Sequence, residues 1–184
     1  MTHSRKWLLL VLASAISGSA AMAVAPQAGF RAATATDLPG IWKQVAIHAY
    51  DPQLDLSDPG YGGLRYFRFR QLEEGKQLLK VLHLPDDGDR AFPEIREEWE
   101  QMPWNAVLRW RPGGRALLTF PAERKQYYLV IAFYTREFDA ASLPEERRKG
   151  FGEALPSPGD VTLTYVDGDL RPLYFRLLRR VDEP

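Results

Sequence analysis

From residue 40 onward, apolar positions recur mainly at every second residue, in short runs separated by clusters of glycine, proline and aspartate. That is the pattern of half-buried strands joined by turns. Gly40 to His48 is the first run, and Leu64 to Arg70 the second, its last four residues alternating phenylalanine with arginine. Gln77 to Leu84 follows the turn Glu73-Glu74-Gly75-Lys76. Asn105 to Trp110 and Arg115 to Phe120 flank Pro112-Gly113-Gly114, a strong hairpin signal. Gln126 to Thr135 is long and rich in tyrosine and branched residues, and Val161 to Val166 and Arg171 to Val181 turn about Asp167-Gly168-Asp169.

Two stretches break this period. Between Pro93 and Gln101, Ile95 and Trp99, with Met102 just beyond, recur at i, i+4 and i+7. The spacing predicts a short helix whose apolar side packs on the sheet. Inside the long connection from Arg136 to Gly159, Ser142-Leu143-Pro144-Glu145 resembles a capping box, Arg147-Arg148-Lys149 follow, and Gly150 ends a charged, solvent-facing helix. Asp51 to Gly63 holds proline and glycine too densely for a persistent element. The expected fold is therefore all-β: an eight-stranded antiparallel up-and-down barrel with one or two short helices in its loops. Closing the sheet removes its edges.

Composition adds an export signal. His3, Arg5 and Lys6 precede the apolar run Trp7 to Ile16, and small residues follow, so Met1 to Ala23 is expected to be a signal peptide. A cut after Ala25 would leave Pro26 at the new terminus, which favours cleavage after Ala23. The apolar run is shorter than the roughly 20 residues a membrane span requires. Val24 to Thr36 reads as a flexible leader, and 37–184 as one barrel domain large enough to carry its own core. Without the signal, 22 basic residues face 24 acidic ones. That balance shows no basic excess of the kind that draws a protein to nucleic acid or anionic lipid. The absence of cysteine excludes disulfides, thiol chemistry and a lipidated cysteine anchor. The expected location is periplasmic or secreted.

Gly40-Ile41-Trp42 at the head of the first strand resembles the glycine-x-tryptophan signature of lipocalins and related calycins, and the chain is similar to the small lipocalin-like proteins of bacteria. In that family an arginine on or after the last strand packs across the tryptophan at the closed end of the barrel. If Leu173, Phe175, Leu177 and Arg179 alternate on one side of the last strand, the resemblance assigns that part to Arg179. Gly40, Trp42 and Arg179 then form a structural signature.

Direction and parity along the strands place a candidate site at the opposite end. His48 ends the first strand, Arg65 begins the second and His83 ends the third, all with inward parity. Tyr165, with Tyr127, Tyr128 and Arg171, approaches that rim from the other wall. Such a mouth suits an amphipathic ligand with an acidic head. No cofactor or metal site is implied: the two histidines lack a third ligand, and Asp51, Asp55, Asp58 and Asp86, Asp87, Asp89 lack the spacing of a calcium loop. Nothing marks a catalytic centre: there is no phosphate loop or serine elbow, and Glu97 and Glu98 point about 100° apart on a helix. Two functional readings follow. One is a bacterial periplasmic barrel binding a small apolar or amphipathic ligand. The other is a barrel filled by Trp42, Phe67, Phe69, Trp110, Phe120 and Phe175 that binds proteins, as an inhibitor, accessory subunit or envelope-assembly factor.

Overall fold

The computed structural model describes residues 29–56, 64–73, 75–84, 92–143 and 145–181. The expected signal peptide, residues 24–28 of the expected leader, and Asp58, Asp86, Asp87 and Asp89 lie outside them. Nine strands form among the described residues: β1 Phe30–Ala32, β2 Gly40–Ala49, β3 Leu64–Glu73, β4 Lys76–Leu84, β5 Ala106–Arg111, β6 Arg115–Phe120, β7 Lys125–Tyr134, β8 Val161–Val166 and β9 Pro172–Arg180. Strands β2 to β9 pair antiparallel in sequence, and β9 returns to β2. The sheet is thus a closed eight-stranded up-and-down barrel, as the alternating pattern predicts.

The period-2 residues fill its interior. Phe67 and Phe69 of β3, Leu79 of β4, Leu108 of β5, Leu118 of β6, Leu129 and Ile131 of β7 and Leu163 of β8 belong to one buried cluster with Trp42. Each comes from an inward parity, because successive side chains on a strand face opposite sides.

Strand β1 was not foreseen. It pairs with β7, Phe30 opposite Tyr134, within the stretch expected to be a flexible leader. The chain then crosses the closed end, where Leu38 is fully buried and Ala33 N–H donates to the Ile131 carbonyl. Gly114, at φ +71° in the β5–β6 hairpin, lets this crossing approach: a Cβ there would lie 2.7 Å from Ile131 O and 3.0 Å from the Ala32 methyl.

Asp37 ties the crossing down. Its carboxylate accepts from Arg31 Nη1 at 2.7 Å and Nη2 at 2.6 Å, and from the Thr34 N–H at 2.6 Å. Burial pushes the carboxyl up, but the Arg31 guanidinium and the Thr34 donors outweigh it and hold it below the usual range. A depressed folded pKa gives stability that is present above the unfolded value and lost as pH falls through the folded one. Asp37→Asn is expected to cost about 1 kcal/mol at neutral pH, given a half-exposed Arg31. The gap to wild type should close below about pH 4. Denaturation midpoints of both proteins across that range would decide; a constant gap would mean that the charge is irrelevant.

The two α-helices among the described residues lie outside the barrel. Helix α1, Phe92–Gln101, packs by Trp99 against Ile41 and Tyr66, the apolar contact its spacing predicts. Met102 is exposed instead. Helix α2, Glu145–Phe151, follows a 3₁₀ turn at Ala140–Ser142. Its Glu145, Arg148 and Lys149 are exposed, while Phe151 is buried with Phe138, Leu143, Phe175 and Leu177 under the connection. The connection therefore covers the outer wall of β2 and β9 with an apolar layer.

Candidate functional site

The closed end is built from Gly40, Trp42 and an arginine, but the arginine is Arg180. Its guanidinium carbon sits 4.6 Å from the Trp42 ring centroid, and it donates to the carbonyls of Pro39 and Asp37 at 2.9 Å each. Trp42 is opposite Arg180 in the β2–β9 ladder, and its Nε1 donates to Leu38 O at 2.7 Å. Gly40, at φ +128°, has no Cβ to strike Arg180 Nη1, which would lie 2.7 Å away. Arg179 faces outward and binds the buried Asp160 carboxylate, Nη2 to Oδ2 at 2.8 Å. The expected parity of β9 was thus off by one, and Phe175 and Leu177 also point outward.

The same shift brings Tyr174, Arg176 and Leu178 into the barrel. Arg176 is 2% exposed, and its Nη1 donates to Gln44 Oε1. Its guanidinium carbon lies 5.4 Å from the Tyr174 ring centroid and 5.9 Å from that of Tyr165. Those two rings stack at 4.2 Å and 14°, and Tyr127 and Phe120 continue the row around the wall. Arg65 enters the same space from β3. Burial, then the charge of Arg176, push the Arg65 guanidinium below its ordinary value, with Tyr165 and Tyr174 opposing. Burial, with Tyr165 adding, drives the Tyr174 phenol far above its ordinary range. The interior thus carries two guanidinium groups, an amide and tyrosine hydroxyls above a packed apolar floor.

Of the four expected ligand residues, Arg65 and Tyr165 share this space. His48 does not. A β-bulge between Gln44 and Ala46 flips the end of β2, so that Ile47 faces in and His48 faces out. The imidazole lies against Tyr50 and Phe175, at centroid distances of 5.5 and 5.6 Å, in an outer groove of about 540 Å³ shared with Lys149, Gly150 and Phe151. His83 is opposite Arg65 in the β3–β4 ladder, and its side chain lies outside the described ones. Tyr128 is exposed, and Arg171 binds Asp167 and Asp169 in the β8–β9 turn. Arg176 and Gln44 were missed. Their only sequence signal is an even spacing, two residues from Trp42 for Gln44 and four from Arg180 for Arg176, and it becomes readable once Arg180 is chosen as the partner of Trp42. Among the described residues, no three histidine or carboxylate groups converge as a metal site would require.

A closed eight-stranded antiparallel barrel, with glycine, tryptophan and arginine locked together at one end, decides the architecture. The fold is a closed eight-stranded up-and-down β-barrel. No protein-family model matches the chain, and no curated protein matches it. Among solved structures it is similar to a mutant of the fluorescent protein UnaG, at 15% identity and a TM-score of 0.39, over 82% of this chain and 100% of that one. The strand order, rather than this distant likeness, establishes the closed eight-stranded barrel.

Proposed function

We propose that this lipocalin-like barrel is an exported bacterial protein of the periplasm that carries or senses a small amphipathic molecule with an ionised acidic head. One observation carries the reading: Arg65 and Arg176 share the barrel interior with Gln44, Tyr165 and Tyr174. Two like charges removed from water raise each other's cost. An anionic head between them offsets both, and guanidinium geometry suits a carboxylate or phosphate. The apolar tail would occupy only the upper barrel, since Phe67, Leu79, Leu108, Leu118 and Leu129 already fill the floor. That packed floor favours a second reading, a filled barrel acting on a protein partner through its surface.

Native mass spectrometry of protein purified from its periplasm separates the two. The expected species starts at Val24 and retains a small acidic molecule. A ligand-free protein that fails to bind a fluorescent fatty acid would favour the surface-acting reading. In that titration Arg65→Ala is expected to weaken binding by about 1.5 to 3 kcal/mol. The guanidinium groups stay charged at every working pH, and His48 is on the outer wall, so a rise in affinity between about pH 7.5 and 5.5 would implicate His83, which stands opposite Arg65 in the β3–β4 ladder.

A further inference from the structure

The outer face of β3 to β6 is cationic to a degree that the balanced composition conceals. In its ladders Arg68 stands opposite Lys80, Lys76 opposite Arg109, and Arg111 opposite Arg115. Like charges directly opposite each other in an antiparallel pair are destabilising. Lys80 is buried and bonded to the Trp99 and Glu100 carbonyls, so its charge serves α1; Lys76 with Arg109 and Arg111 with Arg115 are the pairs that stay at the surface. The four strands contain one acid, Glu73, at the end of β3, where it binds Lys76. From α1, Glu100 reaches Arg68 at 3.5 Å. Arg70, Arg109, Arg111 and Arg115 are exposed.

An indole organises part of this face. The Trp104 ring has the Arg70 guanidinium at 4.6 Å, the Lys80 ammonium at 5.0 Å and the Arg68 guanidinium at 6.0 Å from its centroid. Two apolar side chains stand out beside it. Leu72, two residues beyond Arg70, is 52% exposed, and Met102, two residues before Trp104, is 38% exposed.

We propose that this face docks the protein onto an anionic phospholipid surface. The cations spread over four strands, about 14 Å across at ordinary strand spacing. They ride on flexible stems on the outside of a curved wall, which suits a broad field of phosphates. Leu72, Met102 and Trp104 supply the apolar and indole contacts that the headgroup boundary accepts. The docking is proposed as a surface contact of this outer wall; no described helix is long and apolar enough to cross a membrane. It does not depend on whether the interior holds a ligand.

Cosedimentation with vesicles tests the proposal. The protein is expected to bind vesicles of phosphatidylglycerol and phosphatidylcholine in equal parts, to release them in high salt, and to ignore pure phosphatidylcholine. At about fivefold per basic residue, Arg70→Gln combined with Arg109→Gln should weaken binding about 25-fold. Arg70→Lys with Arg109→Lys should leave it nearly intact. The glutamine pair should keep its fold with a thermal midpoint near that of wild type, since it relieves the repulsion between Lys76 and Arg109 and gives up the Arg70 contact with the Trp104 ring. Equal binding to neutral vesicles, or full binding by the glutamine variant, would overturn the proposal. So would retention on polyglutamate without partition onto anionic vesicles, which would assign the face to an acidic protein.

Discussion

Replacing Trp42 with alanine is expected to lower the unfolding free energy by about 3 to 5 kcal/mol, the cost of emptying a buried aromatic site. The side chain is fully buried between Leu38 and the lower barrel wall, and it loses its Nε1 bond to the Leu38 carbonyl as well as its packing. Arg180 contributes less because it is exposed, about 0.5 to 1 kcal/mol through the ring face. The identity of the arginine can be read from coupling. A double-mutant cycle between Trp42 and Arg180 should return a coupling of that size, and one between Trp42 and Arg179 should return none. Arg179→Ala should still destabilise, because it strands the buried Asp160 carboxylate. Coupling of Trp42 to Arg179, with none to Arg180, would refute the register of β9 on which the interior site depends.

Trp99→Ala should cost about 3 to 4 kcal/mol, but as a local loss. Trp99 is fully buried with Ile41 and Tyr66 on the outer wall and is the apolar anchor of α1 among its described side chains. A second device holds the same helix. Lys80 Nζ donates to the carbonyls of Trp99 at 2.9 Å and Glu100 at 3.2 Å, placing an ammonium at the end of the helix where its dipole is negative. Without the indole this contact alone should not keep α1 folded. Hydrogen exchange should then quicken through Phe92–Gln101 while β6 to β8 keep their protection. Uniform loss of protection across the barrel would show instead that α1 belongs to the global folding unit.

Most of the barrel was legible because most of its strands have one apolar and one polar face. In β3 the arginines at 68 and 70 leave Phe67 and Phe69 only one way to turn, and the same holds for β5 and β6. A period of two fixes the phase wherever one face must stay wet. Helix α1 was legible for the matching reason, since Trp99 lies on a stripe of helical period. Arg65 and Tyr165 followed from parity within such strands.

Tertiary structure decided the rest. Strand β9 reads Leu173-Tyr174-Phe175-Arg176-Leu177-Leu178 because the connection from 135 to 160 covers its outer side, so both faces are apolar and either phase is allowed. Only pairing with β2 and β8 puts Arg180 on Trp42 and Arg176 inside. The bulge that turns His48 outward lies between Gln44 and Ala46, and the residues after Gln44, Val45-Ala46-Ile47, are all apolar and fit either face, so a slip leaves no mark. Strand β1 is too short to show a period, and it exists through its contact with β7. The basic outer face was invisible in a net charge near zero: the acids lie mostly in turns and helices, and closure of the barrel is what gathers the cations of four strands onto one wall. The pattern of the chain determined which residues could be inside; closure determined which polar ones were brought together, because facing pairs are set by register across strands and not by spacing along one.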